Sequence, residues 1–147
     1  MFQLIKIEYG RDNIPEPMLL PAKEGVSYEV GMALSTDEAS HTLIPASGNV
    51  TATFIAMEDK TAKAEDKILC FKILPQMLFE APLSENANTT PAPFSRLQFG
   101  SGGKGVVATA ASGYSVSADK VTMALGATVV DAFGAKNQGD KLLLRLQ

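Results

Sequence analysis

Five features of this sequence invite a chemical reading: one histidine, one glycine-rich loop, two acidic clusters, one cysteine and two asparagine triplets. His41 stands beside Ser40, but acyl transfer needs a nucleophile, a base and an orienting acid that meet in space. A single imidazole following Ser35-Thr36-Asp37-Glu38-Ala39-Ser40 reads as turn chemistry instead. The stretch FGSGGKG at 99–105 holds a Gly-Lys pair, as phosphate loops do. It departs from the G-x-x-x-x-G-K-[ST] spacing, because Lys104 is followed by Gly105, and no helical pattern comes next to offer its N-terminus. A hairpin loop is the expectation. Glu58-Asp59-Lys60 and Glu65-Asp66-Lys67 put carboxylates close together, and calcium takes six to eight oxygens. The interleaved Lys60, Lys63 and Lys67 neutralise them, and the spacing of a calcium-binding loop is missing, so a solvated turn is expected and no metal. Cys70 is the only cysteine, so neither an intrachain disulfide nor a thiolate cluster can form, and its place in I-L-C-F marks a small core residue. Asn49-Val50-Thr51 and Asn88-Thr89-Thr90 fit the glycosylation triplet but carry little without an export signal. These readings lead to no catalytic constellation and no cofactor; an enzyme is not expected.

The elements that carry these residues are short strands. Between 48 and 83 three apolar runs, T-A-T-F-I-A-M, K-I-L-C-F-K-I and M-L-F-E-A-P-L, are separated by the charged connection 58–66 and by Leu74-Pro75-Gln76. Their length and their β-branched and aromatic content suit strands, and Pro75 ends the second because it cannot donate to a ladder. An antiparallel meander is predicted here, its first two strands forming a hairpin. Gly31 within Tyr28-Glu29-Val30-Gly31-Met32-Ala33-Leu34 signals a bulge or a close backbone approach. Further strands are expected around 96–99, 106–110, 113–116, 120–125 and 140–146, while 127–133, followed by Gly134, reads equally as a short helix or a strand. The fold class is all-β, a small antiparallel β-barrel or sandwich.

The chain has 147 residues, 46% of them hydrophobic and 20% charged, with a formal charge of -3. That is a globular composition of one domain's length, able to bury about 70% of its unfolded surface. No basic block offers a face to nucleic acid, and no stretch approaches the roughly 20 apolar residues of a membrane span. Neither partner is expected. The opening residues alternate as Phe2, Leu4, Ile7 and Tyr9, a strand pattern and not an export signal, so a soluble chain is expected. Pro15, Pro17 and Pro21 then impose an extended path. Residues 1–24 thus read either as an edge strand with a linker on its own domain or as an arm that adds a strand to a neighbour's sheet. The compact domain is placed at 25–147, with a polar linker at 84–95 and a second lobe at 96–147.

The order Y-E-V-G-M-A-L (28–34), T-F-I-A-M-E-D-K-T-A (53–62), D-K-I-L-C-F-K-I-L-P (66–75), M-L-F-E-A-P-L (77–83) and G-D-K-L-L-L-R-L (139–146) resembles the capsid decoration, or head cement, proteins of tailed bacteriophages. The resemblance implies a structural virion protein on the capsid exterior, present in the host cytoplasm during assembly. Its partner would be the major capsid protein, whose neighbouring capsomers it would stabilise, and it would act as a homotrimer or another self-association. The same resemblance makes Phe2, Leu4, Ile7, Tyr9, Pro15 and Pro17 the capsid-binding residues of an N-terminal arm. Two other readings use the same features: a protein of the phage tail or neck, and a barrel binding glycans or other ligands with Tyr28, Phe99 and Tyr114 as stacking platforms.

Overall fold

The computed structural model describes residues 1–7, 15–111, 114–116, 121–123 and 125–146, and it is an all-β protein built of antiparallel strand pairs. Along the chain run β1 (Gln3–Ile7), β2 (Pro17–Pro21), β3 (Ser27–Tyr28), β4 (Ala33–Asp37), β5 (Thr42–Pro45), β6 (Phe54–Ala56), β7 (Lys60–Thr61) and β8 (Lys67–Lys72). They are followed by β9 (Met77–Pro82), β10 (Arg96–Phe99), β11 (Val106–Ala110), β12 (Tyr114–Val116), β13 (Val121–Met123), β14 (Ala127–Asp131) and β15 (Lys141–Arg145). One sheet has five strands in the order β2-β8-β6-β4-β5, a second has six in the order β1-β9-β15-β14-β10-β11, and β3-β7 and β12-β13 are two-stranded ribbons.

Set β1 aside and the two sheets have the same topology. Residues 17–73 and 77–146 form two lobes in which β2, β4, β5, β6 and β8 correspond to β9, β10, β11, β14 and β15. Both sheets curl until their end strands meet at one parallel bridge, Ala22 to Leu43 in the first lobe and Leu83 to Val106 in the second. The backbone bonds repeat as well. Ala22 N–H donates to Asp66 O at 2.9 Å and Leu83 N–H to Asp140 O at 2.8 Å; Gly31 N–H donates to Ala56 O at 2.9 Å and Phe94 N–H to Val129 O at 2.7 Å. In each lobe the loop before the last strand is tied by an aspartate: Lys63 N–H donates to Asp66 Oδ2 and Asn137 N–H to Asp140 Oδ2, both at 2.9 Å. The residue before each aspartate takes positive φ, 62° at Glu65 and 92° at Gly139. The chain is an internal repeat.

Alternation fills both interiors. In the first lobe Leu34, Leu43, Ala56, Ile68 and Cys70 point inward around Tyr28. In the second, Leu97, Val106, Val129, Leu142 and Leu144 do so, and this cluster continues into the first lobe through Ala33, Ile55 and Ile73. Ala33, Ile55 and Phe71 form one row across β4, β6 and β8, and Phe71 stacks on Phe79 of the second lobe with ring centroids 6.4 Å apart. The matching row of the second lobe is Arg96, Thr128 and Arg145. Arg96 donates to Leu125 O, Thr128 Oγ1 and Gly126 O at 2.6–2.9 Å. A polar outer face of this kind is how a repeat is capped, and here it faces away from the shared cluster on the second lobe.

Several expectations are corrected by this arrangement. The hairpin across 58–66 forms, since β6 pairs with β8, but the meander does not continue, because β9 leaves for the other sheet. Residues 127–133 are not a helix. β14 pairs on both sides, with Ala127 and Val129 buried and Thr128 and Val130 less so, the period-two pattern that β-branched residues favour. The division at residue 24 does not follow the sheets, for β2 is the partner of β8 throughout. Nor do residues 84–95 link two lobes. That loop lies inside the second lobe, held where Asn86 Oδ1 accepts Gln138 N–H at 2.7 Å, and the lobes change over at Leu74-Pro75-Gln76.

Candidate functional site

The free arm is corrected too. β1 pairs antiparallel with β9, Gln3 opposite Glu80 and Ile7 opposite Met77, and so adds a strand to the second lobe of its own chain. Phe2 is buried, its ring 5.8 Å from that of Phe99, and Leu4 and Ile7 are half-buried against the same core. Of the two readings of the opening strand, the one on its own domain is observed, and its apolar alternation is satisfied within the molecule. Gly31 fixes the seat of this segment. Its carbonyl accepts Phe2 N–H at 2.9 Å, its φ is +85°, and a Cβ on it would stand 2.9 Å from Phe2 O, the close approach its place in a strand pattern signals. Pro15 is half-buried, Pro17 is exposed at the start of β2, and Tyr9 lies outside the described residues.

The prolines of β2 have a backbone reason. Ala22 N–H points toward the β8 side, so amides at 17, 19 and 21 point away from it. Prolines at 17 and 21 therefore lose no ladder bond, and they blunt an edge that would otherwise template another strand. In the second lobe the matching strand, β9, keeps the second proline as Pro82 but has Leu78 in place of the first, and it receives β1.

What remains exposed is apolar surface on both lobes. Ile5, Met18, Leu19, Val30 and Met57 lie on β1 and the first lobe; Phe94, 86% exposed, and Phe133, 67% exposed, lie on the second. Leu19, opposite Leu69 on β8, widens the apolar strip that Met57 borders through its bond to Leu69 O. Beside it a groove of about 290 Å³ opens between β1 and the first sheet, lined by Phe2, Leu4, Val30, Ile55, Met57 and Phe71. A larger cleft of about 550 Å³ is mixed in character, bordered by Ser35, Thr36, Glu38, Thr51 and Thr53 beside the apolar Ile44, Val50 and Leu125. At its wall the buried Thr51 hydroxyl lacks a hydrogen-bond partner.

The residues singled out for chemistry are spent on structure. His41 is exposed at a turn with φ 52°, and Ser40 Oγ is engaged with Asp37 and Thr42. Glu58 accepts Leu69 N–H at 2.7 Å, Asp59 accepts Val30 N–H at 2.8 Å, and Asp66 holds its own loop, so the acidic clusters are already occupied. The loop 99–105 joins the hairpin β10-β11, with a strand after it and Lys104 paired with Glu29. Cys70 is fully buried, which pushes its thiol up to about 11. Two of the proposed stacking platforms are corrected: Tyr28 lies in the first core, donating to Leu43 O at 2.6 Å and accepting Lys23 N–H at 2.8 Å, and Phe99 lies under Phe2. The Tyr114 side chain lies outside the described residues. Phe94 and Phe133 were not singled out in the sequence, though each precedes or follows small and turn-forming residues that signal exposure. No protein-family model matches this sequence, and no curated protein is similar to it.

Proposed function

We propose that this protein is a structural bridging protein of a bacteriophage particle, bound to the outer surface of the capsid and tying neighbouring capsid subunits together. The observation that carries the reading is the presence of separate exposed apolar patches on two repeated lobes that share one core. A single body with two contact surfaces is what bridging requires, and many identical weak contacts add through avidity. The resemblance of its strand segments to head cement proteins supplies the identity of the partner, the major capsid protein. Contact falls to Met18, Leu19 and their neighbours instead of to the buried Phe2. The test is co-sedimentation with expanded, undecorated capsids. Saturable binding by the full chain, weakened by Leu19→Arg in a variant of unchanged circular dichroism, supports the reading; a folded chain that does not bind removes it.

The hydroxyl-bearing rim of the larger cleft favours a second reading, a small polyhydroxylated ligand held by the Ser35, Thr36 and Thr53 hydroxyls and Glu38 against the apolar Ile44, Val50 and Leu125. Chemical-shift changes confined to these residues on titration with monosaccharides would favour it, and an unperturbed spectrum would dismiss it.

A further inference from the structure

Phe94 and Phe133 are the most exposed large apolar side chains described, and both have left-handed backbone, φ 65° and 48°. A bulky residue there is an outlier, and strain of this kind collects at ligand contacts. The two rings belong to the same end of β14: Phe94 N–H bonds Val129 O, and Phe133 follows that strand with its N–H on Asp131 Oδ1 at 2.8 Å. The repeat shows what this place is used for. The counterpart of Phe94 in the first lobe is Gly31, and Gly31 is covered by the chain's own Phe2. Among the described residues no segment covers Phe94 in this way, and it is 86% exposed.

We propose that the protein associates head to tail, the Phe94 and Phe133 rings of one copy entering the apolar groove between β1 and the first sheet of the next copy. The groove holds about 290 Å³, roughly twice the ~150 Å³ aliphatic cavity that takes up benzene. Its rim is Val30, 54% exposed, and Met57, 36% exposed, and methionine adapts to an aromatic guest. Phe94, Phe133 and Val30 all stand exposed within one copy, so a copy satisfies neither knob nor groove with itself. Burying both rings and the surface they cover removes on the order of 600–1,000 Å² from water, the low end for a specific interface. Assembly is therefore weak and concentration-dependent, and because the contact is heterologous it builds a ring or a chain. This association is independent of the capsid reading and is measured without capsids, so either can fail alone.

The experiment is sedimentation equilibrium on the full chain from micromolar to near-millimolar concentration. It uses a knobless variant, Phe94→Gly with Phe133→Gly, where glycine suits the left-handed backbone, and a grooveless variant, Val30→Arg with Met57→Arg. Val30→Arg alone replaces the latter if the pair does not fold. The expected result is a mass that rises with concentration for the natural chain, monomers for each variant, and a one-to-one dimer when the variants are mixed, because only one junction survives. A natural chain that stays monomeric, a variant that assembles unchanged, or a mixture that stays monomeric overturns the proposal.

Discussion

Tyr28 shows how much a single residue carries in this protein. Its hydroxyl joins Leu43 O to Lys23 N–H, and these flank the Ala22–Leu43 bridge where the first sheet meets itself. Tyr28→Phe leaves a buried carbonyl and an amide without that partner, and a loss of about 1–3 kcal/mol is expected in urea unfolding. Lys23 also pairs with Asp37 at 2.7 Å, and this ammonium, with Ser40 Oγ and Ala39 N–H, holds the Asp37 carboxyl down at about 2 from 3.8. A carboxyl whose pKa is lower in the folded chain stabilises fully above its unfolded value and loses that contribution as pH falls through the folded one. The melting temperature of the natural chain should therefore exceed that of Asp37→Asn at neutrality, and the gap should close as pH is lowered from about 4 to about 2. Cys70, buried and with its thiol at about 11, should resist a thiol reagent at neutral pH until denaturant is added. Rapid labelling of the native chain would mean that the first lobe opens locally.

At the scale of elements, β1 is the strand of the two large sheets that stands outside the repeat. It covers the free side of β9 while its leading residue, Phe2, fills the space between the lobes. Removing residues 1–7 should therefore destabilise the fold, and Phe2→Ala alone should cost about 3–5 kcal/mol, as large-to-small core changes do. A truncated chain with an unchanged melting temperature would restore the arm as a separate element. Gly31→Ala tests the seat from the other side: positive φ and contact with Phe2 O predict a loss of roughly 1–3 kcal/mol. Hydrogen exchange should then show lost protection in β1 before β8. Short apolar runs, the hairpin over 58–66 and the terminal strand were legible because period two and turn residues are local signals. Which strand pairs with which was not, since β8 and β9 are separated only by Ile73-Leu74-Pro75-Gln76 and yet enter different sheets.

At the scale of the molecule, the two lobes share one apolar cluster that runs from Ala33 and Ile55 to Leu142 and Leu144. Unfolding should accordingly be one calorimetric transition, with van't Hoff and calorimetric enthalpies equal; two separated transitions would show lobes that fold independently. By itself the sequence determined the all-β class, the short strands and the burial of Cys70, because each follows from composition and spacing within a few residues. It also carried a trace of the repeat, E-D-K-I-L at 65–69 against G-D-K-L-L at 139–143, in which the shared aspartate ties a loop and the residue before it turns with positive φ. Only the tertiary structure decided that the lobes are equivalent, since equivalence lies in backbone bonds that Ala33 and Arg96, or Ile55 and Thr128, make alike despite unlike side chains. It also decided the fate of the opening strand. Alternation tells that Phe2, Leu4 and Ile7 must be covered, and long-range pairing with β9, some 70 residues away, decides by what.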